Sequence, residues 1–236
     1  MNIIREFSRF ANLYEKHNII QSQVAKKLVS TIENRYYHSI IDIGCGSGAI
    51  YKNIIKRDIR FDKFIGADLS KEMLKLHPDS DKIEKISFDF NSSESFRTLK
   101  NNYNLVISSS ALQWSSNLDF TLKEISKLSE NFYFAIFTSN TFKTLHSIAN
   151  IKSPIHKKEY IQKIIDKYYI SNYETINYKL KFNSVYEMLK YIKQSGVSGG
   201  KKQLSYKEIK NIINNYPLDY LEFEVLFIKA KKRLKN

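Results

Sequence analysis

An apolar stretch, Ile40-Ile41-Asp42-Ile43, runs directly into Gly44-Cys45-Gly46-Ser47-Gly48. Three of the chain's seven glycines therefore fall within five residues. A helix is expected from Ala49 onward. Backbone without a Cβ can approach a bound molecule very closely. In a chain this poor in glycine, the cluster is the first place to look for a cofactor.

Two ligand readings compete for it. Gly44, Gly46 and Ala49 formally fit the dinucleotide fingerprint G-x-G-x-x-G/A. Asp42 separates the alternatives. It stands two residues before the first glycine, where a nicotinamide-binding strand normally carries an apolar residue. An acid followed by G-x-G-x-G resembles motif I of the S-adenosyl-L-methionine-dependent methyltransferases. That resemblance implies that the loop of Gly44, Cys45, Gly46 and Gly48 approaches the methionine half of the cofactor. Asp42 would then help to hold its ammonium end. A purely structural strand-to-helix turn is the alternative.

A second landmark lies about 20 residues on. Phe64-Ile65-Gly66-Ala67-Asp68-Leu69-Ser70 reads as another strand ending in an acid, at the spacing of a carboxylate that grips a ribose. A carboxylate accepts two hydrogen bonds and so suits a cis-diol. Ser70 is placed to cap a helix opening at Lys71-Glu72-Met73. A third acid, Asp89, follows Ile86-Ser87-Phe88 and could accept from an adenine amino group; a plain turn acid is the equal alternative.

The 236 residues suit one domain with a sizeable core, carrying a small cap. No apolar run reaches the roughly 18 residues that span a bilayer. Met1 to Phe7 lacks the apolar segment of a signal peptide. A single cysteine excludes an intramolecular disulfide framework, and a cytoplasmic protein is expected. Cys45 reads as a small loop residue, since no base is paired with it in sequence. The formal charge of +14 suits an acidic partner. The chain is also rich in Asn, Ile, Tyr and Phe, a coding bias that favours lysine everywhere, so solvated lysine faces are the plainer reading of the charge. No arginine-rich stripe and no zinc-ligand cluster appears; neither nucleic acid nor a metal is expected.

Residues 2–35 read as helical. Strands are then expected near 39–43, 62–68, 83–90, 103–109 and 131–139. Helices are expected near 48–57, 70–77, 92–101 and 117–129. This alternation predicts an α/β fold with a mostly parallel, doubly wound sheet, and ligands at the carboxyl ends of its strands. Asp42, Asp68, Asp89 and Ser108 would share that edge. Residues 141–170 read as helical, Tyr173 to Phe182 as a strand, and 184–195 and 205–215 as helical again. The stretches 141–170 and 184–215 are expected to form a helical cap, with Ser195 to Lys201 as a mobile loop. Leu221 to Ile228 alternates like a last strand, expected antiparallel beside the fifth.

Several stretches together resemble the malonyl-[acyl-carrier protein] O-methyltransferases of early biotin synthesis, within the Rossmann-like class I methyltransferases. They are Phe7, Arg9, Ala11, Tyr14 and Gln21 at the start; Asp42–Gly48; Asp68–Leu74; Leu105–Trp114, ending in Leu112-Gln113-Trp114; Leu189–Gly196; and Tyr216–Tyr220. They cover the chain from end to end. The chain departs from the family at Tyr103-Asn104, usually Phe-Asp, at Ser108-Ser109, usually Ser-Asn, and at Leu128–Asn131, usually a Pro-Gly-Gly turn. The Ser109 change bears on local hydrogen bonding to cofactor or substrate.

The resemblance implies S-adenosyl-L-methionine as cofactor and adds Tyr14, Leu69, Met73, Phe90 and Ser108 to its site. It implies methyl transfer to the free carboxylate of a malonyl thioester, with Tyr14, Gln113, Trp114 and Lys193 as candidates to contact the acceptor. Plain packing is the alternative for Tyr14 and Trp114, and a solvated position for Lys193. No dedicated base is implied, because a carboxyl with a pKa near ~4 is already ionised at neutral pH. Alignment and exclusion of water would carry the reaction. The implied partner is an acidic acyl carrier protein, or malonyl-CoA in its place. Two rival readings remain: a methyltransferase of the same fold acting on another small carboxylic acid or on RNA, and a non-catalytic binding subunit.

Overall fold

The structure is a computed structural model that describes residues 18–99, 102–194 and 204–233. Seven strands form one sheet in the order β3-β2-β1-β4-β5-β7-β6. In chain order they are β1 (Tyr37–Ile43), β2 (Phe61–Asp68), β3 (Ile83–Ser87), β4 (Leu105–Ser109), β5 (Asn131–Phe137), β6 (Tyr169–Lys181) and β7 (Tyr220–Lys232). The first five run parallel. β7 enters antiparallel beside β5, pairing Phe134 with Ile228, and β6 closes that edge. The expected architecture is therefore present.

The helices are α1 (Ile19–Ser30), α2 (Ala49–Lys56), α3 (Lys71–Leu76), α4 (Ser93–Arg97), α5 (Leu118–Ile125), α6 (Lys143–Ile148), α7 (Lys158–Tyr168), α8 (Val185–Gln194) and α9 (Tyr206–Asn215). Central strands are apolar on both faces because helices cover both. Ile40 and Leu105 face Val24, Leu28 and Ile54 of α1 and α2. Ile41 and Val106 face the opposite layer, with Leu118, Leu122 and Ile125 of α5. Side chains fix several helix starts. Ser70 Oγ accepts from Met73 N at 3.2 Å, as its position predicts. Ser205 and Glu208 form a reciprocal capping box on α9.

The C-terminal third divides more finely than its sequence suggests. The stretch 141–170 holds two helices, not one, and β6 begins at Tyr169 rather than near Tyr173. α7 buries Ile161, Ile164 and Ile165 in the same layer as α5, so it covers the sheet. Phe142 and Leu145, beside and within α6, pack with Met188 and Tyr191 of α8, and with Ile212 of α9, at the other face. The opening helical stretch contributes α1 within the described residues. Phe7, Arg9, Ala11 and Tyr14 lie outside them, as does the loop from Ser195 to Lys201. No helix among the described residues is long and apolar enough to cross a membrane.

Candidate active site

The glycine turn is built by backbone hydrogen bonding to the end of β2. Gly44 N and Cys45 N both donate to Ala67 O, at 2.8 and 3.1 Å. Asp68 holds the turn from its side chain: Oδ2 accepts from Gly46 N at 2.9 Å and Oδ1 from Ser70 N at 2.8 Å. Burial pushes the Asp68 carboxyl above its usual range, and the N–H donors of Ser70, Gly46 and Leu69 pull against that shift. Asp68 is therefore part of the loop's own architecture as well as a wall of the space above it.

That space is a cavity of about 410 Å³ at the carboxyl ends of β1, β2 and β4. Asp42, Gly44, Cys45, Gly46, Asp68, Leu69, Met73, Asp89, Phe90, Gln113 and Trp114 all line it. The convergence expected from sequence is observed for these residues. Asp42 is the outstanding member. It is fully buried, and neither carboxylate oxygen has a hydrogen-bond partner among the described residues. Burial, reinforced by the negative charge of Asp68, raises its pKa well above the carboxylate range. An unpaired acid in such a place costs folding free energy, and a cation bound in the cavity would relieve that cost. The residues present thus fit a ligand with an ammonium group near Asp42. Cys45 is buried, and burial together with the charges of Asp42 and Asp68 pushes its thiol upward. It is a protonated wall residue rather than a nucleophile.

Three expected site residues stand elsewhere. Ser108 is buried and donates from Oγ to Ile43 O at 2.6 Å, tying β4 to β1. The next two serines line the cavity instead, with Ser109 Oγ and Ser110 Oγ unpaired. Gly48 is not in the wall; a Cβ there would meet Pro78 Cδ at 2.7 Å and the His77 ring at 2.9 Å. Its smallness serves packing under the loop. Lys193 is exposed on α8 and is not part of this cavity's wall. Tyr14 lies outside the described residues.

The structure also adds residues. Gln21 from α1 is buried with Oε1 unpaired and reaches the wall. Asn91, Pro154 and His156 contribute as well. Asn91 Oδ1 accepts from Ser116 N at 2.8 Å, bracing the far rim. Ser110 has φ +59, a left-handed conformation uncommon outside glycine. Its carbonyl accepts from Gln113 Nε2 at 2.6 Å, leaving Gln113 Oε1 unpaired at the wall. The doublet Ser109-Ser110 after an apolar strand was a visible signal; His156 and Pro154 had none.

Replacing Asp68 by Ala is expected to weaken cofactor binding by about 1–3 kcal/mol, the scale of lost charge-assisted hydrogen bonds. It should also loosen the turn that Asp68 clips. Calorimetric titration with S-adenosyl-L-homocysteine checks this; a folded variant with wild-type affinity would take Asp68 out of the site.

Comparison with known proteins agrees with the geometry. Residues 37–191 match the family described as Methyltransferase domain. A Malonyl-[acyl-carrier protein] O-methyltransferase of Neorickettsia risticii is 25% identical over 95% of this chain and 94% of its own. The protein of the same name from Priestia megaterium is 26% identical over 61% of this chain, a match spanning about half of that relative's length (54%). Among solved structures, the YcgJ protein of Bacillus subtilis superposes with a TM-score of 0.66 at 14% identity, covering 90% of this chain and 99% of that one; this likeness concerns the fold. With an acid-and-glycine loop under a cavity lined by an unpaired carboxyl, the chain belongs to the methyltransferase domain family, as a class I enzyme whose cofactor is S-adenosyl-L-methionine.

Proposed function

We propose that this enzyme methylates the free carboxylate of a malonyl thioester, carried on acyl carrier protein or on coenzyme A, as an early step of biotin synthesis in the cytoplasm. The observation that carries the reading is the Neorickettsia match. It runs over 95% of the chain, so it includes the C-terminal third that packs beside the cofactor half. The unpaired Asp42 supports the cofactor half of the same reading.

In this reading Asp42 faces the ammonium group, Asp68 the ribose hydroxyls and Asp89 the adenine amino group. The backbone of Gly44, Cys45 and Gly46 gives close approach, and Leu69, Met73 and Phe90 supply apolar wall. S-adenosyl-L-methionine, when bound, would supply an electrophilic methyl group on a sulfonium. The acceptor carboxylate is already ionised at neutral pH, so no residue of this chain would need to take a proton from it. The protein's tasks are to align the acceptor and to exclude water from it. In the same reading Gln113 and Trp114, which line the cavity, contact the acceptor.

The test is methyl transfer from labelled cofactor to malonyl-carrier protein and malonyl-CoA, with RNA as control. A methyl ester formed only on the malonyl substrates is expected. Labelled RNA with no malonyl ester, or cofactor binding with no turnover on any substrate, would refute the reading. If exposed lysines steer an acidic carrier, kcat/KM for the carrier substrate should also fall more steeply with salt than that for malonyl-CoA. Screening acts over about 8 Å at physiological ionic strength.

A further inference from the structure

A second cavity, of about 80 Å³, adjoins the first; Gln113, Trp114 and Pro154 belong to the walls of both. Apolar groups make most of the rest, among them Phe137 at the end of β5, Phe142, Leu145 of α6 and Ile192 of α8. Thr141 also lines this cavity, its Oγ1 already engaged by the Glu224 backbone at 3.2 Å, and two unpaired polar atoms interrupt the lining. His146 Nδ1 and Ser153 Oγ are shielded from solvent, and neither has a hydrogen-bond partner among the described residues. Gln113, 4% exposed, brings a third unpaired atom, Oε1, to the junction of the two spaces. Folded proteins pair nearly all such groups, so three around one small space point to a ligand that pairs them.

The chemistry of the lining narrows that ligand. No lysine or arginine among the described residues lines either cavity. Burial pushes the His146 imidazole below its usual pKa, favouring the neutral ring. A neutral ring still offers an N–H, and a serine offers an O–H. The volume equals that of nearly three waters at about 30 Å³ each. It suits a group of a few heavy atoms such as a carboxymethyl end, and it is too small for a nucleoside.

We propose that this side cavity receives the carboxylate end of the methyl acceptor, and that His146 Nδ1–H and Ser153 Oγ–H orient that carboxylate as two neutral donors. The assignment rests on the malonyl reading above. Neutral donors hold the carboxylate without the full counter-charge of a lysine, so an oxygen lone pair stays available to form the C–O bond. The acceptor's negative charge and the sulfonium's positive charge disappear together as the ester and a thioether form. His146 and Ser153 thus take a part for which the resemblance offered Tyr14, Trp114 and Lys193 as candidates.

The variants His146→Leu, His146→Asn and Ser153→Ala test this, with malonyl-CoA as acceptor and S-adenosyl-L-homocysteine as the binding probe. Unchanged affinity for the probe is expected in all three, with melting curves confirming the fold. His146→Leu should lower kcat/KM for malonyl-CoA about tenfold to a hundredfold, the scale of a hydrogen bond to a charged group. The loss should appear in both KM and kcat. His146→Asn keeps an N–H near the Nδ1 position and should recover part of it, which a purely structural role would not produce. Ser153→Ala should lose about tenfold and serves alone if His146→Leu does not fold. Wild-type turnover with His146→Leu and Ser153→Ala equally active would overturn this assignment and leave the malonyl reading standing. A wild-type enzyme that methylates no malonyl thioester would overturn both.

Discussion

Asp42→Asn is expected to melt at a higher temperature than the wild-type protein when no cofactor is bound, and to bind the cofactor poorly. The carboxyl is fully buried, unpaired and close enough to Asp68 to feel its charge. The sign of the pH effect follows from the direction of its pKa shift. In the folded chain the pKa is raised, so the proton is retained where the unfolded chain has released it. The stability tied to that proton is complete below about pH 4, the unfolded carboxylate's range, and is lost as pH rises through the raised folded value. The advantage of Asp42→Asn should therefore be absent near pH 4 and open as pH increases. Each kcal/mol recovered corresponds to about 2–4 °C in a chain of this size. Affinity for S-adenosyl-L-methionine should fall about tenfold to a hundredfold, because an amide cannot supply the charge that pairs an ammonium group. Calorimetry and thermal melts at pH 4 and pH 8 read both effects. A variant less stable than wild type at pH 8, or one with unchanged affinity, would show that Asp42 is not waiting for a cation.

Gly46→Val should abolish measurable cofactor binding at a modest cost in stability, whereas Gly44→Ala should do the larger damage to the fold. The two glycines differ in what lies beyond them. A Cβ on Gly44 would stand 2.3 Å from Ala111 Cβ, a distance that forces the loop and the segment after β4 apart. Overpacking plus a left-handed φ of +74 should cost about 2–4 kcal/mol. Among the described residues, a Cβ on Gly46 meets only the flexible end of Met73, at 3.3 Å. Its φ of +53 still strains a branched residue, by about 1–2 kcal/mol. The rest of the valine would occupy the cavity itself. Urea unfolding separates the two variants, and titration with S-adenosyl-L-homocysteine measures the site. Normal binding by Gly46→Val would show that the turn has only a structural role.

What the chain's order reveals about this site depends on how local each feature is. Asp42, Gly44 and Gly46 lie within five residues, and Asp68 is one strand away. Their chemistry is written in consecutive residues with fixed spacing. Ser108 shows where that kind of reading stops. β4 is buried on both faces, so alternation gives no clue to which serine points at the cavity and which at β1. In sequence α7 reads as part of the cap for a similar reason. Its apolar stripe of Ile161, Ile164 and Ile165 reads the same whether it covers a sheet or another helix. His146 and Ser153 carry no motif. They reach the site because α6 and the segment after it fold back beside Trp114, a juxtaposition set by long-range packing.

β7 has a consequence for how the molecule is made. It lies between β5 and β6, both of which precede it in sequence. On a ribosome, the strands that carry the glycine loop and its acids emerge early and can pair with one another. The open flank of β5, with Phe132, Phe134 and Ile136 buried in the finished sheet, has no partner until Tyr220–Lys232 arrives. The 13-residue pairing of β6 with β7 then has to form as an insertion rather than as growth at an edge. Such late, distant pairing is slow, and it leaves a sticky apolar flank exposed while it is pending. Completion of the sheet therefore waits on Tyr220–Lys232, which follows every other described strand in sequence.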